Sequence, residues 1–353
     1  MRILIASGIY PPDIGGPAQY ARNLYETWKK QGHDVKVAAY RWERIAPPGL
    51  RHLLYFTKII RKGWNVDLIL VLDTWSAAVP TMAACSIMRK KYIVRTGGDF
   101  LWETYVERTG DMVLFRDFYG SSPEDFRSRR VPRLSRKERM IFKLGGDSLR
   151  KAQAVIFSTE WQKGVFEKAY SLDHKRCAMV ENYCGERLET TEPEERNFVA
   201  ATRDLKWKNI ESLKEAFADA RVDAAKRGLP DIELDCGKAV YDSFVEKIHH
   251  AYAVALVSIG DISPNMIFDA IRAGTPFILT KENGIMDRIK DAAVLVNPLN
   301  KAEIAEKIVW LSDPANRAAQ AEKVRKIAFT HSWEEIGGEI VDIWKRPDPR
   351  KRI

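Results

Sequence analysis

The chain has 353 residues, 45% of them hydrophobic, with 57 Lys and Arg against 48 Asp and Glu and a formal net charge of +9. That length exceeds one ordinary core and suits two domains of about 150 to 180 residues each. The positive charge is not accompanied by a helix-turn-helix, zinc or aromatic-stacking motif, which argues against a nucleic-acid partner; there is no repeat and no low-complexity tract.

Apolar runs alternate with helical periodicity along both halves, the pattern of βα units and parallel sheets. RILIAS opens the chain as a strand without a basic region, apolar core and cleavage site ahead of it, so no signal peptide is expected. Gly15 and Gly16 follow, ahead of the helix AQYARNLYETWKK. Glycines there let the backbone approach a ligand while the helix directs its positive end at a phosphate. Their spacing does not match the Gly-x-Gly-x-x-Gly dinucleotide fingerprint. DVKVAAY is the next strand, with His33 in the turn before it.

GLRHLLYFTKIIRKGW places Leu50, Leu53, Leu54, Ile59 and Ile60 among Arg51, Lys58, Arg61 and Lys62. The basic amphipathic helix 50–62 is suited either to an anionic membrane surface or to packing on the first sheet. LILVLDTWSAAVPTMAACSIM is long enough to resemble a membrane span, but Asp73 and Pro80 break it, and it reads as a buried strand followed by a helix. KYIVRT and AVIFST are further strands. After the first comes GGDFLWE, in which Asp99 either caps the following helix or orients a ligand, with Glu103 nearby. The basic run 126–143 is suited to lipid head groups or a phosphorylated acceptor.

The polar stretch 186–197, rich in Glu and containing Pro193, reads as a linker between a first domain over 1–185 and a second over 198–332. The second domain's strands are FVAAT, IELDCG, AVALVS, PFILT and AAVLVN. Arg203 follows FVAAT at the strand end, Lys208 stands five positions on, and a helix begins after Asn209. A strand end opening onto a helix start is where α/β sheets bind anions. Asp261 lies in the loop after AVALVS, and Asp269, eight positions on, lies inside the helix MIFDAIRAG, which Gly274 closes. Two cations near two carboxylates can neutralise a diphosphate and hold sugar hydroxyls. Alternatively, Asp261 and Ser263 merely cap the helix, with Ser263 and Asn265 as candidate caps.

These blocks, in this order, resemble retaining glycosyltransferases of family 4 (glycosyl transferases group 1), which have the GT-B architecture. MRILIASGIYPPDIGGPAQYARNLYETWKKQGHDVKVAAY is similar to the family's first strand, glycine loop, helix and second strand. ATRDLKWKN resembles its diphosphate-holding strand end, and GDISPNMIFDAIRAGTPFILTKENG its two acidic residues followed by a Gly, Thr-Pro turn. FTHSWEEIGGEIVDIW resembles the terminal segment that crosses back to the first domain, here over 333–347.

The resemblance implies two Rossmann-like doubly wound parallel-sheet domains facing a central cleft, the first on the acceptor side. It implies transfer of a sugar, with retention, from a nucleotide sugar to a glycan or lipid-linked acceptor. Arg203 and Lys208 would hold the diphosphate, Asp269 the ribose, and Asp261 with Ile262, Ser263, Pro264 and Asn265 the sugar. Gly15 and Gly16 would lie near the donor phosphates. The nucleotide, UDP, GDP or ADP, is left open.

Two departures stand out. Asp replaces the family's usual Glu at both acidic positions, each shorter by one carbon–carbon bond of about 1.5 Å. Gly97, Gly98 and Asp99 stand where the family often has a His. A non-catalytic scaffold of the same shape, or a sugar-nucleotide epimerase or phosphorylase, therefore stay as alternatives.

No metal site is expected: there is no Asp-x-Asp motif, no His/Cys cluster has metal spacing, and the adjacent His249 and His250 are expected to face different directions. No cofactor is expected beyond the nucleotide-sugar co-substrate. Cys85, Cys177, Cys184 and Cys236 have no Cys-x-x-Cys spacing, consistent with a reduced, cytoplasmic setting, including the inner face of a membrane.

Overall fold

Runs such as Ile3–Ala6 and Leu68–Val71 carry no polar side chain to alternate with the apolar ones, so they satisfy their backbone only where both faces are covered. The computed structural model describes residues 1–13, 15–120, 133–193, 195–200, 203 and 205–348. Its strands are β1 (Arg2–Ser7), β2 (Asp34–Ala39), β3 (Leu68–Val71), β4 (Ile93–Arg95), β5 (Ala154–Phe157), β6 (Cys177–Met179), β7 (Asn197–Ala200), β8 (Glu233–Asp235), β9 (Ala253–Leu256), β10 (Phe277–Thr280) and β11 (Val294–Val296). They form two sheets whose described pairings are all parallel.

The first sheet has the order β2-β1-β3-β4-β5-β6. The chain leaves β1 for one neighbour, then returns across it to β3, so right-handed crossovers put the helices Gly16–Lys30 and Pro48–Gly63 on opposite faces. Trp333–Lys345 packs beside Gly16–Lys30. It starts in a capping box between Ser332 and Glu335, and the Trp28 Nε1–H donates to the Gly337 carbonyl at 3.2 Å.

The apolar stretch that resembles a membrane span divides into β3 and the helix Ala78–Met88, the break coming where Asp73 caps backbone N–H groups of Trp75, Ala77 and Ala78. Among the described residues, no helix is long and apolar enough to cross a membrane.

The second sheet has the order β11-β10-β9-β7-β8. Alternate residues point to two cores. Phe198, Ala200, Ala253, Ala255 and Ile278 face the helices Ile210–Lys226 and Lys301–Ser312. Val199, Val254, Leu256, Phe277 and Leu279 face the helix Asn265–Ala273. Helices thus cover both faces, the doubly wound arrangement expected from the sequence pattern.

The chain divides into one unit of Met1–Tyr105, Tyr119–Asn182 and Ser332–Ile353, and another of Val106–Phe118 and Tyr183–His331. This differs from the expected division at 185 in one respect beyond small boundary shifts: Val106–Phe118 belongs to the second unit. There Phe115 N–H donates to the Ile259 carbonyl at 3.3 Å, and Arg116 Nε to Glu282 at 2.9 Å.

The expected linker 186–197 is also no free spacer. Leu188 N–H donates to the Arg272 carbonyl and Thr191 Oγ to the His249 carbonyl, filling acceptors near the ends of two helices.

Candidate functional site

In a doubly wound sheet the strand order reverses at one place, and ligands collect outside the carboxyl ends of the strands there. In the second unit the reversal lies between β7 and β9. Arg203 and Lys208 follow β7, and Asp261 follows β9.

A short 3-10 turn, Lys206–Lys208, carries the chain from β7 to the next helix, and Asn209 completes it in a left-handed conformation with φ 59°. Its Nδ2 group donates to the carbonyls of Val257 and Pro298, fastening the turn to the loops beyond β9 and β11. Trp207 is buried, and its carbonyl accepts from Ile259 N–H at 3.0 Å. Lys208 Nζ sits 4.2 Å from the centre of the Trp207 ring and 2.6 Å from Asp261 Oδ2. Ser258 Oγ donates to the same oxygen at 3.2 Å. The Asp261 backbone is pinned in turn, its N–H donating to Glu282 and its carbonyl accepting from Gly284.

Lys208 and Asp261 are therefore brought together, each side chain little exposed. Arg203 is exposed. Ile262 and Pro264 are buried, Ser263 is half-buried and Asn265 is exposed. Neither Ser263 nor Asn265 is the cap of the helix Asn265–Ala273: Pro264 occupies the cap position and no side chain caps the helix. Proline places the turn by its fixed φ, where a capping hydroxyl was expected. Gly274, at φ 71°, closes the helix as expected.

Asp269 lies inside this helix and is 4% exposed. Its Oδ1 accepts from Arg272 Nη1 at 3.3 Å and Tyr241 Oη at 3.4 Å, while neither group bonds to Oδ2. Burial pushes its pKa up from 3.8 to about 6, against the opposing pull of Arg272. Arg272, Tyr241 and Trp207 were not singled out in the sequence. Arg272 could have been, because it stands three positions after Asp269 on a helix, where side chains meet.

In the first unit the reversal lies between β1 and β3. Gly15, at φ 153°, adopts a backbone that side chains disfavour, and a Cβ there would come within 3.1 Å of Ile9 Cδ1. Gly16 begins the helix, which has Pro17 in its first turn and no side-chain cap.

Asp99 is 2% exposed. Its Oδ1 accepts from the N–H groups of Leu101 and Trp102, and its Oδ2 from Tyr119 Oη at 2.6 Å. Tyr119 and Tyr170 share a further hydrogen bond of 2.9 Å. Both carboxylate oxygens thus serve the protein, and burial raises the pKa to about 6. This is the geometry of a helix cap. Glu103 is half-buried, its Oε1 2.7 Å from where a Cβ on Gly98 would stand.

His249 and His250 depart from expectation. Their ring centroids are 5.0 Å apart, and with Glu246 they bring one ligand atom each within 4.8 Å of one another. Helical spacing places Glu246 under His250, and the helix ends at His249, which frees the two histidines from facing apart. His250 Nε2 lies 2.9 Å from Glu246, and His249 Nε2 is bonded to the Glu189 carbonyl.

On the helix Pro48–Gly63, Leu50 and Leu53 are exposed and Ile59 is buried. Lys58 and Lys62 turn inward to the Ala39 and Val37 carbonyls. Trp42 and Ile45 are also exposed. Of the basic run 126–143, residues 126–132 lie outside the described residues.

No protein-family model matches the chain, and no curated protein matches it by sequence. Solved structures do match by shape. Sucrose-phosphate synthase from Thermosynechococcus elongatus superposes with a TM-score of 0.68 at 14% identity, over 97% of this chain and 98% of that one. HepE of Anabaena, in complex with UDP-glucose, gives 0.66 at 15% identity over 97% and 98%. WaaG, a glycosyltransferase involved in lipopolysaccharide biosynthesis, gives 0.65 at 13% identity over 98% and 100%. The fold is thus GT-B, built of two Rossmann-like parallel-sheet domains.

Proposed function

We propose that the protein is a retaining glycosyltransferase that moves a sugar from a nucleoside-diphosphate sugar to a glycan or lipid-linked acceptor without a metal ion. The observation that carries this reading is the meeting of Lys208 with Asp261 at the strand-order reversal of the second sheet. Arg203 stands on the same connection as Lys208, and the uncapped helix Asn265–Ala273 begins four residues after Asp261. The matched structures include one holding UDP-glucose, which agrees with a nucleotide-sugar donor.

In this reading Arg203, Lys208 and the helix N-terminus hold the diphosphate. Its departure develops negative charge, so cations already in place stabilise the transition state more than the ground state. They supply the charge that a metal ion would otherwise supply. Asp261 and the loop Ile262, Ser263, Pro264 and Asn265 hold the sugar, and Asp269 offers Oδ2 to ribose hydroxyls. Retention follows from the family resemblance, with the acceptor attacking from the face that the diphosphate leaves and the leaving phosphate taking its proton. Gly15 and Gly16 belong to the phosphate side of the reaction, and Glu103 to the acceptor side. The cap geometry of Asp99 favours a positioning role for it. A protein working at the cytoplasmic membrane face is favoured by exposed Leu50 and Leu53 on a basic helix.

The test is nucleotide release from a panel of UDP-, GDP- and ADP-sugars, comparing wild type with the Arg203→Ala, Lys208→Ala double variant. Release from one donor, lost in the variant, is the expected result. Binding without release, with or without acceptor, would favour the scaffold alternative, to which the closed Lys208–Asp261 pair also lends itself.

A further inference from the structure

Arg95 is the last residue of β4 and is 5% exposed. A buried guanidinium ordinarily faces a carboxylate, because an uncompensated buried charge costs several kcal/mol. Arg95 has no such partner among the described residues. Its Nη2 donates to the neutral amide oxygen of Asn182, and the guanidinium carbon lies 3.9 Å over the Tyr20 ring. Arg95 and Tyr20 attract each other at close to hydrogen-bonding range, whereas Glu339 acts through its charge on Tyr20 and no carboxylate acts in this way on Arg95. Arg95 Nε and Tyr20 Oη, both buried, complete no hydrogen bond of good geometry, with each other or with any further group. Buried polar atoms are rarely left so, and a neutral tyrosine oxygen beside the guanidinium does not neutralise its charge, which calls for an anionic acceptor.

The surroundings fit one. Arg95 stands at the carboxyl end of a parallel strand, next to β3 and so close to the strand-order reversal of the first sheet. Tyr20 comes from the first turns of the helix that Gly15 and Gly16 introduce. Gly97 lets the backbone lie close beside the guanidinium, where a Cβ would fall 2.5 Å from Nη1 and displace it. Arginine's planar fork suits an oxyanion better than any neutral group.

We propose that Arg95 and Tyr20 bind an oxyanion, a carboxylate or phosphate group carried by the acceptor. The oxyanion site rests on the geometry of the first unit alone; only its assignment to the acceptor rests on the glycosyltransferase reading. Such an acceptor is a uronic acid or a sugar phosphate in chemical class, not a neutral sugar.

The experiment compares the thermal stability of the full chain in inorganic phosphate, in acetate and in chloride at one ionic strength, for wild type, Arg95→Gln and Tyr20→Phe. A ligand that binds the folded state raises its melting temperature. The expected result is stabilisation of wild type by one of the two oxyanions over chloride, binding about tenfold or more weaker in Arg95→Gln, and Arg95→Gln at least as stable as wild type in chloride. Tyr20→Phe keeps the ring under the guanidinium and is expected to fold normally while binding the anion more weakly. Phosphate acting alone identifies a phosphorylated acceptor, and acetate a carboxylated one. An oxyanion effect that persists in both variants, or none in wild type, overturns the proposal. So does an Arg95→Gln chain that loses stability equally in all three salts, which makes the residue a strut satisfied by water. Anion binding with no sugar transfer would leave this site standing while the transferase reading fell.

Discussion

Lys208 Nζ and Asp261 Oδ2, 2.6 Å apart, join the connection after β7 to the connection after β9, the two strands between which the second sheet reverses its order. Their side chains are 13% and 11% exposed, so each neutralises the other in a largely dry setting. Removing only one partner leaves the other charge buried. Lys208→Ala is therefore expected to destabilise the protein by about 3 kcal/mol. The double variant Lys208→Ala, Asp261→Ala should cost less than the sum of the two singles, by about 1 to 3 kcal/mol. Urea unfolding of the four proteins measures both quantities, and additive losses would show that the pair is not coupled.

Asp269 makes stability depend on pH in a direction that its burial fixes. Its folded pKa, about 6, lies above the ordinary 3.8, so the folded state holds the proton more tightly than the unfolded chain. The contribution of this group is greatest below pH 4 and is lost as pH rises through 6. A shift of roughly 2 units corresponds to about 3 kcal/mol as an upper figure. Asp269→Asn is expected to be more stable than wild type at pH 7.5 and to lose that advantage near pH 4. The same substitution should weaken donor binding if Oδ2 holds ribose hydroxyls. Chemical unfolding at the two pH values reads the first effect, and nucleotide titration reads the second.

A methyl group at Gly337 meets a rigid obstacle. The added Cβ would stand 2.8 Å from Trp28 Nε1 and 3.3 Å from Cδ1, and Trp28 is fully buried. An indole ring cannot swing aside as a flexible chain end can. Gly337→Ala is thus expected to cost about 1 to 3 kcal/mol despite its better helix propensity. By contrast, Gly338→Ala has open space around its Cβ and should be neutral or stabilising. Melting temperatures of the two variants, moving in opposite directions, would locate the helix Trp333–Lys345 on Trp28; equal effects would not.

The strands that the sequence shows most clearly are those covered on both faces. RILIAS, DLILVLD and AVALVS are nearly unbroken apolar runs, and each contributes strand residues with almost no exposure. β6 was not legible. Cys177–Met179 is a sheet edge, partly exposed along its length, and follows a turn of three basic residues. An edge strand needs no continuous apolar run.

The meeting of Lys208 with Asp261 could be anticipated only as two loops at strand ends, since residues 53 apart in the chain carry no local sign of contact. The helix cap failed for a local reason: Ser263 and Asn265 flank the residue that occupies the cap, and Pro264 takes that place without a side-chain donor or acceptor. Arg95 was hidden for the opposite reason. It closes the strand KYIVRT, where a basic residue reads as a solvated strand end, and only the packing of Tyr20 over it shows that it is buried.

Tyr119 holds Asp99 by a 2.6 Å hydrogen bond that is strongest when the carboxyl is ionised. Burial raises the Asp99 pKa to about 6, and Tyr119 opposes that rise. Tyr119→Phe therefore moves the pKa further up and penalises the ionised state most. The loss of stability is expected to be about 1.5 to 3 kcal/mol at pH 8, where Asp99 is ionised in the parent protein. It should shrink toward pH 5, where the carboxyl is already protonated in the folded state and the substituted ring faces a neutral group. Unfolding free energies measured across that range check the sign. A pH-independent loss would mean that the Tyr119 hydroxyl acts through its hydrogen bond with Tyr170 rather than through Asp99.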